Sequence, residues 1–85
     1  MIHVLDRVTE RHPELTKKDV HLAWKNALAS IPRLDSRSLE YLAVGADSKG
    51  RLIEMVGRLA PNGDWVIWHA FTPPTKKALK ELRIL

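Results

Sequence analysis

Two alternating apolar runs, separated by Ala60-Pro61-Asn62-Gly63-Asp64, constrain this chain more than any other stretch. The first is Arg51-Leu-Ile-Glu-Met-Val-Gly-Arg-Leu59 and the second is Trp65-Val-Ile-Trp-His-Ala-Phe71. Proline presets φ for the second position of a type I turn, and asparagine tolerates the third. Glycine then takes the left-handed position that closes a bulged loop. The two runs therefore predict a tight β-hairpin. Asp47-Ser48-Lys49-Gly50 is a second turn signal. Ahead of it, Leu39 to Ala46 reads as a strand, with Tyr41 and Val44 suited to a pleated sheet. Strands joined by such short turns run antiparallel, because a parallel pair needs a crossover of about a dozen residues.

Helices are expected on both sides of that meander. Thr72-Pro73-Pro74-Thr75 cannot extend a central strand but can open a helix, where the missing N–H groups cost nothing. Lys76 to Arg83 reads as that helix. Near the start, Ile2, Leu5 and Val8 recur at three-residue spacing and predict a short amphipathic helix stopped before Pro13. The next helix is better marked. Thr16 is a natural N-cap with Asp19 completing a variant capping box, and Leu15 and Val20 stand where a hydrophobic staple would. Val20, Ala23, Trp24, Ala27, Leu28 and Ile31 form one apolar stripe that Pro32 ends. Residues 33–38 read as a polar connector. The expectation is a single α+β domain over residues 1–85, with two N-terminal helices, a three-stranded antiparallel meander sheet and a C-terminal helix.

The turn also sets a hairpin register. With Ala60 opposite Asp64, Leu59 faces Trp65, Gly57 faces Ile67, Met55 faces His69 and Ile53 faces Phe71. One face then collects Ile53, Met55, Leu59, Trp65, Ile67 and Phe71 as core. The other collects Glu54, Val56, Arg58, Val66, Trp68 and Thr72 and is left open. A one-residue slip would place His69 beside Glu54 and Arg58, but it puts Pro61 in the hydrogen-bonded pair flanking the turn, where its missing N–H is a defect.

Composition narrows the functional classes. The chain has 85 residues, 45% of them hydrophobic and 28% charged, which fits one globular domain. It has no cysteine, and its four scattered histidines show no metal-ligand spacing, so no metal or cofactor is expected. No apolar run approaches the ~20 residues of a membrane span, and the first residues show no signal-peptide pattern. The expectation is a soluble cytoplasmic protein without a membrane partner. The net charge of +4 is unevenly placed. Residues 1–48 carry seven Lys/Arg and seven Asp/Glu, whereas residues 49–85 carry seven against three. The excess lies in the hairpin and the last helix, which favours a polyanionic partner.

Several motifs, in order and spacing, resemble the BrnT-type toxins of the wider RelE-like group of ribonuclease toxins. They are Val44-Gly45, Gly50-Arg51-Leu52-Ile53, the Asn-Gly-Asp turn, and Ile67-Trp68-His69-Ala70 ahead of a Lys-rich helix. Upstream, Arg11-His12-Pro13 and Thr16-Lys-Lys-Asp-Val20 are similar to that family's His-Gly-x-Ser-x-Glu approach to its second helix. The resemblance spans roughly residues 7–82. It implies a small sheet with helices packed on one face, binding of messenger RNA, free or on the ribosome, and neutralisation by a small cognate antitoxin protein. The chain departs from the family where Ser-Ala-Arg-Lys is replaced by His69-Ala70-Phe71-Thr72. That departure sets an alternative: a non-catalytic RNA- or protein-binding module of the same fold.

Cleaving RNA without a metal requires deprotonating the 2′-hydroxyl, stabilising the charge on phosphorus and protonating the leaving oxygen. His69, Glu54 and Arg58 are the candidates for those tasks. His69 reads either as the acid/base or as a core histidine under Met55. Glu54 and Arg58 read either as a cross-strand ion pair or as the border of an RNA groove. Lys76, Lys77 and Lys80 could bind phosphate or solvate the last helix, and Lys49 and Arg51 flank a turn where phosphate could be met. Trp68 could stack on a base or pack on the sheet. Trp24 and Trp65 read as core, His12 as a helix-end residue, and His3 and His21 as solvent-facing.

Overall fold

The computed structural model describes residues 1–33 and 39–84. The chain runs β1 (Ile2–Val4), α1 (Asp6–Arg11), α2 (Lys17–Lys25), β2 (Ala27–Arg33), β3 (Glu40–Ala46), β4 (Leu52–Leu59), β5 (Trp65–Phe71) and α3 (Lys76–Glu81). Both turns form as their residues require. Ala60 N–H donates to Asp64 O at 2.7 Å and Gly63 N–H to Ala60 O at 2.9 Å. Gly63 and Gly50 sit at φ 89° and 80°, in the left-handed region that glycine enters without strain. β4 pairs antiparallel with β3 and with β5.

The sheet is larger than a three-stranded meander. It has five strands in the order β1-β5-β4-β3-β2, with β1 parallel to β5 and the remaining pairs antiparallel. Two stretches expected as helix are strands. Residues 2–4 pair with Trp65–Ile67 as a short strand, and α1 begins only at Asp6. Residues 27–31, expected to complete the second helix, belong instead to β2 and pair with β3. Ala29 and Ile31 also stand at the strand period, and the open edge of β3 decides between the two readings. The second helix therefore ends at Lys25, with Asn26 as its C-cap. Pro32 lies on this outer strand, where a missing N–H is tolerated. Of the expected polar connector, residues 34–38 lie outside the described residues.

Helices cover both faces, not one. On the first face Val8, Leu15, Val20 and Ala23 pack against Ala43, Ile53, Met55, Ile67 and Ala70. On the second, Ala78 and Leu82 of α3 pack on Leu42, Val44 and Val56. The face expected to stay open is thus partly roofed by α3. At the far end of the first face Trp65 lies 5.2 Å from both the Trp24 and the Tyr41 ring centroids. The α2 cap is as expected: Asp19 N–H donates to Thr16 Oγ1 at 3.0 Å and Thr16 N–H to Asp19 Oδ2 at 2.9 Å. Such a cap contributes about 1 kcal/mol. No helix among the described residues is long and apolar enough to cross a membrane.

Three carboxylates hold this frame together, and each is kept below its ordinary pKa. The Thr16 N–H lowers Asp19. For Asp47 and Glu54 burial pulls upward and is outweighed by hydrogen bonds, from Arg51 and the Lys49 N–H to Asp47 and from the Thr75 N–H and His69 to Glu54. A depressed folded-state pKa adds stability that is present above the unfolded value of about 4 and lost as pH falls through the folded one. The melting midpoint should therefore hold steady from neutral pH down to about pH 5 and fall steeply below about pH 4. Asp47→Asn should be less stable at neutral pH and show a shallower acid decline, as read by circular dichroism melts across that range.

Candidate active site

The hairpin follows the expected register from the turn to Gly57 opposite Ile67, and then shifts. Trp68 is an extra residue in β5, so His69 comes opposite Val56, Ala70 opposite Met55 and Phe71 opposite Glu54. The expected pairs Met55–His69 and Ile53–Phe71 are therefore not formed. The bulge moves His69 away from Met55 and onto the face that carries Glu54 and Val56. Such bulges re-aim side chains in this way. His69 thus reaches Glu54 without the slip that Pro61 would oppose.

The result is a carboxylate–imidazole pair. His69 Nε2 lies 2.9 Å from Glu54 Oε2, with the Glu54 side chain 9% exposed and the His69 side chain 34% exposed. Glu54 Oε1 accepts the Thr75 N–H at 2.7 Å. Thr75 is the N-cap of α3, its Oγ1 accepting from Ala78 N–H at 3.1 Å. One oxygen of Glu54 thus holds the helix while the other orients the ring. An ionised Glu54 accepts from Nε2–H, and in the neutral imidazole that tautomer has its lone pair on Nδ1.

The helix that Glu54 holds by its cap is rich in lysine. Lys76 and Lys77 are exposed and follow Thr75 directly, and Lys80 is exposed one turn later. Trp68 packs at the margin of the α3 face, its ring centroid 6.1 Å from that of His69. The Arg7 guanidinium lies 5.6 Å from the Trp68 ring centroid. His12 meets Phe71 edge-on at 5.1 Å, a contact that ties the end of α1 to the end of β5.

The remaining candidates stand apart from the pair. Arg58 is exposed in β4, four residues from Glu54, or roughly 13 Å along an extended strand. It forms no ion pair with Glu54; Glu54 is taken by His69. Arg51 is engaged throughout its guanidinium. Its Nε donates to Asp47 Oδ2 at 2.8 Å, NH2 to Asp19 Oδ2 at 3.2 Å and NH1 to Glu14 O at 3.1 Å. These bonds tie the β3–β4 turn to the approach to α2. Lys49 is exposed at the tip of that turn. His3 bonds Asp64 at 2.9 Å, and His21 is exposed. Among the described residues no group of three or more His, Asp or Glu side chains is placed to hold a metal ion.

Two participants escape a reading of the sequence alone. Thr75 carries the signal of an N-cap, between a Pro-Pro pair and a Lys-rich helix, but nothing local says that its N–H meets Glu54. Arg7 carries no signal, since its place on Trp68 depends on how α1 docks beside β5. No known family model, curated protein or solved structure matches this chain.

Proposed function

We propose that this protein is an endoribonuclease toxin of the RelE-like, BrnT type, cleaving messenger RNA without a metal in the cytoplasm and neutralised by a small antitoxin. The observation that carries this reading is the Glu54–His69 pair, its imidazole partly exposed and its carboxylate bound to the cap of α3, which leads into Lys76 and Lys77. Neutral His69 takes the proton of a 2′-hydroxyl at Nδ1, and the 2′-oxygen attacks the adjacent phosphorus. The bond from phosphorus to the 5′-oxygen breaks, water protonates the departing oxygen, and a 2′,3′-cyclic phosphate remains. Glu54 orients the ring, while the lysines oppose the charge that grows on the phosphoryl oxygens. A base stacking on Trp68 would displace the Arg7 guanidinium that lies over its ring.

A non-catalytic RNA- or protein-binding module of the same fold is favoured by one observation. Glu54 also holds the Thr75 N–H, which a purely structural clamp on α3 would do. Expression of the chain alone separates the two. A toxin arrests growth and degrades messenger RNA, and both effects vanish for His69→Gln. Normal growth with intact RNA, in cells containing soluble folded protein, decides for the binding module.

A further inference from the structure

The two edges of the sheet are not alike. β2, at one edge, carries Pro32 and a bulge between Ala27 and Ala29, both of which discourage a further strand. β1, at the other, has neither. Its register with β5, flanked by Trp65 N–H to Met1 O and Leu5 N–H to Ile67 O, turns the backbone of His3 inward. The N–H and C=O groups of Ile2 and Val4 therefore point to the free edge.

Beside that edge lies an open depression of about 750 Å³, between Ile2 and Val4 on one side and Lys17, Lys18, His21 and Lys25 of α2 on the other. Asp19 also lines it, but its carboxylate is held by the Thr16 N–H and Arg51. Lys17 pairs with Asp6, whereas Lys18 and Lys25 pair with no carboxylate among the described residues. We infer that this groove docks an extended acidic segment of a partner protein, which adds a strand to β1 and lays its carboxylates against α2. Main-chain pairing supplies the affinity and the lysines select the charge. A second copy of this chain is disfavoured, because it would bring its own lysines to the same groove. The inference stands independently of RNA cleavage.

The test uses a fluorescent peptide of alternating glutamate and valine, followed by anisotropy against the intact protein. Two further versions carry N-methyl groups on every second residue, in opposite phases. The glutamate peptide should bind, and a lysine–valine peptide should not. Lys18→Glu with Lys25→Glu should weaken binding at least about tenfold without lowering the melting midpoint. One methylation phase should weaken binding by a similar factor and the other should leave it unchanged, because only alternate residues face β1. The inference is overturned if the glutamate peptide does not bind, or if both methylation phases behave alike. It is equally overturned if a uridine oligonucleotide, and not the peptide, loses affinity in the double variant, which would make the groove a nucleic-acid site.

Discussion

His69→Gln is expected to lower the rate of RNA cleavage by ~10²–10⁴-fold while leaving the melting midpoint nearly unchanged. The glutamine amide nitrogen can reproduce the Nε2 donor 2.9 Å from Glu54 but has no basic nitrogen at the position of Nδ1. His69→Ala should lose activity equally and stability as well. It strands Glu54 Oε2 in a largely buried position, at a cost of about 1–3 kcal/mol. Comparing the two variants by single-turnover cleavage and thermal melts separates acid/base work from clamping. Equal activity in His69→Gln and the parent protein would assign the pair a purely structural role.

Gly45→Val should be the most damaging single change to the fold. At Gly45 a Cβ atom would lie 2.8 Å from the Ala23 carbonyl carbon, overlapping backbone that cannot rotate away. To accept a side chain, α2 must lift off β3 and open the contacts of Val20, Ala23 and Trp24 with the sheet. Overpacking of this kind costs about 3 kcal/mol or more. In a domain of this size that corresponds to a fall on the order of 15 °C in melting midpoint. Gly50→Ala, where no atom lies within 4 Å of the added Cβ, should cost less because only the backbone conformation objects. Similar melting midpoints for the two variants would contradict this close approach of α2 to the sheet.

The parts of the fold that were legible are those specified by neighbouring residues. Pro61, Asn62 and Gly63 determine a turn that closes over five residues, and Thr16 with Asp19 determines a cap within one helical turn. The stretches that fold otherwise depend on partners far along the chain. Residues 2–4 are too few to display a period, and they become a strand because β5 offers an edge more than 60 residues later. Ile31 fits a strand period with Ala29 and a helical stripe with Ala27 and Leu28, so the choice falls to β3.

The candidate site divides in the same way. His69 and Glu54 stand out as chemistry-bearing residues on adjacent strands, yet their meeting requires the bulge at Trp68, which no local residue announces. Arg51 looks like a phosphate ligand in sequence and is instead enclosed by Asp47, Asp19 and the Glu14 carbonyl. Charge counted along the chain misleads for a related reason. Residues 1–48 balance overall, but Asp6 and Asp19 face Lys17 and Arg51, which leaves Lys18 and Lys25 to set the sign of the groove beside β1.

In the proposed mechanism His69, oriented by Glu54, takes the proton of a ribose 2′-hydroxyl. The most direct test is cleavage of a defined single-stranded RNA by the purified protein in the presence of a chelator, with the product ends identified by mass spectrometry. The expected products carry 2′,3′-cyclic phosphate and 5′-hydroxyl ends, with no cleavage when the nucleotide bearing the attacking 2′-hydroxyl is replaced by its 2′-deoxy form. Intact RNA in the presence of folded protein, cleavage that persists at the 2′-deoxy position, or 5′-phosphate ends would contradict that mechanism.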